Sequence, residues 1–340
     1  MKIAFKRTFE QAKFLDPFND FKEKVISIEI REDPITGLIS RILKFRFKLP
    51  ESPEIKETFR ATSKECPFCQ ENLDKVTPKF TREIFPEGRI TAGESTLLPN
   101  AFPYSKYNSV VVLSKEHFIG IDKFTVTMLK NGFRSAQKYI KRILDLDPDV
   151  KHYSVNWNYM PPAGGGLIHP HLQIVADVSP TYIQRILYER SKNYYQNNSS
   201  ILWKDFLSQE KKSNQRYIGT IGSVSFLSAF APSGMLGEII AVFEGKNSIT
   251  DLSEGDLNDF SEGLVKIFRY FGTKNIYSFN LGVYSIRTGQ DYLWVNSRII
   301  PRVSLPPLNI SDINYFEKLH KEVISTVLPE EMCDEIREYL

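Results

Sequence analysis

Ala163-Gly164-Gly165-Gly166-Leu167-Ile168-His169-Pro170-His171-Leu172-Gln173 is the most informative stretch of this chain. If His169, His171 and Gln173 open a strand, alternation places their three side chains on one face. The glycines before them remove side chains, so backbone amides can approach an anion closely. An imidazole beside neutral donors is what nucleophilic chemistry at phosphorus requires. A bare His-x-His also arises from surface or metal-binding histidines. A glycine run followed by His-Pro-His-x-Gln is a much narrower pattern.

Working outward, residues 153–158 read as a strand before the glycine loop, and 172–176 as the strand after it. Residues 109–113 (SVVVL) form a short, buried strand. Residues 122–146 carry Phe124, Met128, Leu129, Phe133, Ala136, Ile140, Ile143 and Leu144 at helical spacing, ending before Pro148. The same order then returns: a strand at 238–243, an amphipathic helix at 251–271, and strands at 277–281 and 292–300. Tyr153-Ser154-Val155-Asn156-Trp157 matches Tyr277-Ser278-Phe279-Asn280-Leu281, and 277 minus 153 gives an offset of 124. The pattern predicts an α+β body in which a strand–helix–strand–strand unit is duplicated and an antiparallel sheet is flanked by helices. The expected division is 1–180 for the half with the histidine motif and 181–340 for the half without it.

Elsewhere the signals are local. Asp33-Pro34-Ile35-Thr36-Gly37 reads as a hairpin turn between short strands at 25–30 and 39–47. Helices are predicted at 180–196 and 201–209, broken at Asn197-Asn198-Ser199-Ser200. Residues 209–215 read as a loop, and the tail from 312 to 339 as mostly helical.

The chain has 340 residues and a net charge of +3, so bulk electrostatics argue for neither a nucleic-acid nor a membrane-surface partner. No run of about 18 apolar residues predicts a membrane span, and the basic start is not followed by the apolar core of a secretory signal. Three Cys do not make a disulfide scaffold. A cytoplasmic protein is the expectation.

Cys66-Pro67-Phe68-Cys69 spaces two thiolates to share one metal, although the same spacing also serves redox pairs. No thioredoxin-like strand–helix–strand context surrounds it. A tetrahedral structural zinc needs two further ligands, to be drawn from His117, His152, His169, His171 and His320. His117 directly follows the SVVVL strand, and His169 opens the His-Pro-His.

Together with Leu98-Pro99-Asn100-Ala101-Phe102-Pro103, Asp33-Pro34-Ile35-Thr36-Gly37 and Tyr315-Phe316-Glu317, these motifs resemble the galactose-1-phosphate uridylyltransferase family of the histidine-triad superfamily. The resemblance spans most of the chain and implies a duplicated histidine-triad fold. It implies that His171 is the nucleophile, forming a nucleotidyl-histidine, and that Cys66, Cys69, His117 and His169 hold one structural zinc. Gln173 matches the glutamine that hydrogen-bonds phosphoryl oxygens, and Asn158 an asparagine near the nucleotide phosphates. Gly164, Gly165 and Gly166 form the phosphate-facing loop. Arg46 matches an arginine near the substrate phosphates, and Glu317 a glutamate that binds the hexose. Members are commonly dimers, so a homodimer is expected.

The implied activity is exchange of a nucleoside monophosphate, UMP in the family, between a nucleoside-diphosphate sugar and a hexose 1-phosphate. Two departures matter. Gly166 stands where the family often has a serine. Aligning Ile299-Ile300 with Ile174-Val175 puts Trp294, Asn296 and Arg298 at the places of His169, His171 and Gln173. One metal and one catalytic half are therefore expected. Phosphate in place of the sugar-phosphate acceptor, as in an NDP-sugar or dinucleoside-polyphosphate phosphorylase, stays open. So does a zinc-stabilised nucleotide-binding protein without turnover.

Overall fold

The computed structural model describes residues 3–43, 61–287 and 292–340. Its centre is a ten-stranded antiparallel sheet. The strands in chain order are β4 (Ile90–Ala92), β5 (Ser95–Pro99), β6 (Tyr107–Val112), β7 (His152–Tyr159), β8 (His171–Asp177), β9 (Tyr217–Ile221), β10 (Val224–Ser228), β11 (Ile239–Phe243), β12 (Ser278–Ile286) and β13 (Asn296–Arg302). Across the sheet they run β4-β5-β6-β8-β7-β12-β13-β11-β10-β9, so the second five repeat the first five in reverse. The halves meet at β7 and β12, where Trp157 pairs with Leu281. Those residues are 124 apart, which is the offset of the sequence repeat, so a pseudo-twofold axis passes through this pair.

Helices α2 (Val126–Leu146) and α5 (Glu254–Thr273) occupy equivalent places in the repeat. Thr125 caps α2 by accepting from the Met128 amide, and Ser253 with Asp256 forms a capping box on α5. Leu129, Phe133, Ala136, Ile140 and Ile143 of α2 are buried together with Leu257, Phe260, Leu264, Ile267 and Phe268 of α5. Leu172, Ile174, Val155 and Trp157 from the sheet join the same core. The Val110–Val112 run of β6 is apolar because both its faces are covered: Val111 enters this core, while Val110 and Val112 pack beside Cys66, Phe68 and Cys69.

The opposite face of the second half is also closed. Leu187 of α3 (Tyr182–Asn198), and Trp203, Phe206 and Leu207 of α4 (Leu202–Ser213), pack there against Ile35, Leu227, Ile240 and Val242. Ser199, in the left-handed conformation, ends α3 at the predicted break. The loop expected at 209–215 is instead largely helix. α4 runs on to Ser213, because buried Glu210 is paired with Arg216 at 3.0 Å and holds the last turn to the body.

The lead-in is more extended than the predicted short strands. β1 (Lys6–Asp16) and β2 (Lys22–Glu32) make a long, largely exposed hairpin, which continues through β3 (Ile39–Ile42) to β14 (Val323–Ser325). Residues 44–47 of the predicted 39–47 strand lie outside the described residues. The tail departs from its helical expectation. It contains a five-residue π-helical turn at Phe316–His320, then β14, then α6 (Pro329–Arg337). Parallel pairing of β14 with β3 takes Val323, Ile324 and Ser325 into the sheet in place of a helix. Among the described residues no helix is long and apolar enough to cross a membrane.

Candidate active site

β8 begins at His171 and alternates as expected: Leu172 and Ile174 enter the core, while His171 and Gln173 face away from it. Pairing with β6 brings Val112 opposite His171, and the Leu113 amide donates to the Pro170 carbonyl at 2.9 Å. This carries the His-Pro-His turn to the end of β6, where the Ser114 carbonyl accepts from Nε2 of buried His169 at 2.8 Å. A carbonyl only accepts, so Nδ1 of His169 keeps its lone pair.

That Nδ1 points at the cysteines, 3.7 Å from Cys66 Sγ and 3.8 Å from Cys69 Sγ. His117 Nδ1 lies 3.4 Å from Cys69 Sγ, and its Nε2 is 3.0 Å from Thr62 Oγ1. The ligand atoms of Cys66, Cys69, His117 and His169 all lie within 4.8 Å of one another. Tetrahedral zinc, with bonds of about 2.3 Å to sulfur and about 2.0–2.1 Å to nitrogen, requires sulfur–nitrogen edges of about 3.6 Å. Both imidazoles turn Nδ1 inward, and each Nε2 has a hydrogen-bond partner, the usual support for a metal-ligating histidine. Burial first, then the neighbouring Cys66, push the Cys69 thiol up to about 12. Burial likewise holds His169 neutral, down to about 4. A donor set of two thiols and two imidazoles within reach of one another fits a zinc ion.

The cluster braces the adjoining strand. The Phe68 ring packs edge-on against His171, with centroids 5.2 Å apart, and also lies 6.1 Å from His169. Cys69 starts helix α1 (Gln70–Val76), and its carbonyl accepts from the Asn72 and Leu73 amides.

His171 is buried, and its Nδ1 lies 2.8 Å from the His169 carbonyl. Nδ1 therefore carries the proton and Nε2 the lone pair. Burial lowers the His171 pKa despite that hydrogen bond, which keeps the ring neutral and nucleophilic. Gln173 accepts at Oε1 from the Tyr104 hydroxyl at 2.6 Å, so its amide NH2 is left as the donor. Asn158 is half-buried near the end of β7. Two residues beyond the Asn156–Gln173 pair, it stands level with His171.

The three glycines differ. Gly164 has φ +79°, in the left-handed region. A Cβ on Gly165 would meet the Asn158 carbonyl at 2.9 Å and the Met160 carbonyl at 3.0 Å, so only glycine fits. A Cβ on Gly166 would meet nothing within 4 Å. Met160, buried at the start of this loop, has φ +71° and ψ 160°, a conformation normally reserved for glycine.

Glu317 lies in the π-helical turn. Burial raises its pKa, while the charge of Arg302 opposes that rise. Arg46 lies outside the described residues. Sequence reasoning missed Phe68 and Tyr104 as neighbours of the candidate nucleophile and Gln173, although Phe68 lies inside the Cys66–Cys69 motif and Tyr104 directly follows Pro103.

The register also corrects the alignment of the second half. Asn156 pairs with Gln173, and its equivalent Asn280 pairs with Ile300. Ile300 therefore answers to Gln173, and Arg298 to His171, two residues from the expected correspondence. Arg298 is buried between Asp33 at 2.8 Å and Glu238 at 2.7 Å.

No family model matches the chain. An uncharacterized protein of Archaeoglobus fulgidus is 31% identical over 339 residues, covering 99% of this chain and 98% of that one. The two belong to one family. Among solved structures, an ADP-glucose phosphorylase from Arabidopsis thaliana superposes with a TM-score of 0.71 at 17% identity, covering 92% of this chain and 99% of that one. A GalT-like protein from the same plant gives 0.70 at 18% identity, with the same coverages. A uridylyltransferase gives 0.66 at 17% identity, covering 91% and 98%. The chain shares its fold with these three proteins.

Proposed function

We propose that this protein transfers a nucleoside monophosphate through a covalent adduct on His171. The observation that carries the reading is the Nδ1–H bond from His171 to the His169 carbonyl, which leaves a buried, neutral Nε2 facing away from the core. Nε2 attacks the α-phosphorus of a nucleoside-diphosphate sugar. The N–P bond forms as the bond to the β-phosphate oxygen breaks, and sugar 1-phosphate departs with that electron pair. The adduct ring is cationic, and its Nδ1–H stays on the His169 carbonyl. Gln173, Asn158 and the glycine-loop amides supply donors for the phosphoryl oxygens. A phosphate oxygen of the acceptor then attacks the phosphorus, the N–P bond breaks, and neutral His171 returns.

Cys66, Cys69, His117 and His169 hold one zinc ion in this reading, which ties the start of β8 to the knuckle without touching the reaction. UMP as the group and a hexose 1-phosphate as the acceptor follow the uridylyltransferase likeness. Inorganic phosphate is the second reading, favoured by the open space at Gly166, where no hydroxyl is present to meet an acceptor. Three cysteines, none in a disulfide, suit a cytoplasmic enzyme.

The test is incubation with α-labelled UDP-glucose and ADP-glucose. An acid-labile, base-stable label absent from His171→Ala is the expected result, and discharge by galactose 1-phosphate or by phosphate identifies the acceptor. No label from any nucleotide donor on folded, metal-loaded protein would reduce the site to a binding module.

A further inference from the structure

The second half reaches into the candidate site through Asn280. Its Nδ2 donates to Asn158 Oδ1 at 2.7 Å and to the Ala163 carbonyl at 2.8 Å, touching the strand and the glycine loop together. On its other side, Oδ1 accepts from Arg302 Nη1 at 2.6 Å. Arg302 is buried and gripped by Asp312, which accepts from Nε at 2.8 and 3.1 Å and from Nη2 at 2.6 Å. Asp312 also accepts from the Val303 amide at 3.1 Å, so the guanidinium has one position.

Donor and acceptor identities along this chain are forced. A guanidinium has no acceptor, so the Asn280 atom facing it must be the oxygen. Its NH2 must then face Asn158 and Ala163, and the Ala163 carbonyl, a pure acceptor, requires the same assignment independently. Asn158 consequently presents its oxygen to Asn280 and turns its own NH2 away. Among the described residues no acceptor engages that NH2.

We propose that Arg302, acting through Asn280, is the positioning device that locks Asn158 with its NH2 toward the phosphoryl group on His171. This rests on the nucleotidyl-transfer reading. The second half thereby sets the polarity of the first half's site. Without the lock, Asn158 is free to turn its oxygen toward an anionic phosphoryl group, which exchanges attraction for repulsion.

Asn280→Asp keeps the shape and still accepts from Arg302, but it donates to neither Asn158 nor Ala163. In single-turnover labelling at saturating nucleotide, the rate of adduct formation should fall about 100-fold, the loss of one oriented donor. Nucleotide affinity should change much less, with melting temperature and zinc content at wild-type values. Arg302→Lys, which keeps a donor without the fork, should lose no more than about tenfold. Labelling of Asn280→Asp at the wild-type rate overturns the proposal. So does a loss in both variants that merely tracks lowered melting temperature. Failure of the wild-type chain to take label from any nucleotide is a separate result: it removes the nucleotidyl-transfer reading and this inference with it.

Discussion

The two halves of the sheet place His171 and Arg298 at equivalent points and use them in opposite ways. His171 is a neutral ring with a lone pair, facing a surface built from the Cys66–Cys69 knuckle, Asn158 and Gln173. Arg298 lies under the Asp33–Gly37 turn, where Asp33 accepts from Arg298, from the Thr36 hydroxyl and from the Ile35 amide. Burial opposes the arginine's charge, but Glu238 and then Asp33 outweigh it and hold the group protonated. A guanidinium so held has no lone pair to offer phosphorus. One fold position thus gives a ring nitrogen with a free lone pair in the first half, and an internal strut where a turn and two helices close the face of the second.

This contrast is broken most directly at His171, the proposed nucleophile. His171→Ala should abolish the acid-labile label, a loss of at least about 1,000-fold, while zinc content and melting temperature hold. A retained label would move the chemistry elsewhere, and tryptic mapping would show where. Next in size, Cys66→Ser should release the metal and lower stability by several kcal/mol, read as zinc per chain together with the thermal midpoint. Arg298→Met leaves Asp33 and Glu238 buried without their cation, a cost of about 3–5 kcal/mol in urea unfolding. Its folded fraction should still label at His171, as expected of a strut. Gly165→Ala, which drives a Cβ into the Asn158 and Met160 carbonyls, should slow labelling by roughly 10-fold or more through the loop geometry. Gly166→Ala, with open space around it, should change stability by less than about 1 kcal/mol. Equal effects of the two alanines on labelling would sink the steric account of the loop.

Much of the first half was legible because its signals are local. Period-two alternation fixed the faces of His171 and Gln173, and the knuckle spacing together with two histidines beside strand ends brought out the four candidate ligands. The repeat offset of 124 reappeared as the Trp157–Leu281 register. Strand β1 went unread and β2 was read too short, because exposed Phe9, Phe14 and Leu15 blur the alternation of the first strand. The tail was misread because pairing with β3, some 280 residues upstream, leaves no local trace. Asn280, Arg302 and Asp312 were invisible as site residues for a similar reason, since each looks like an ordinary polar residue until the two halves meet.

The sequence by itself determined the chemistry this chain has available: a histidine that alternates onto a polar face, a glycine loop, and two cysteines at metal spacing. Only the tertiary structure decided which nitrogen of each histidine is free, which way each amide points and which half is closed. Those properties depend on partners brought together across the sheet, such as the His169 carbonyl, Arg302 and Asp33. No window of sequence contains both members of such pairs.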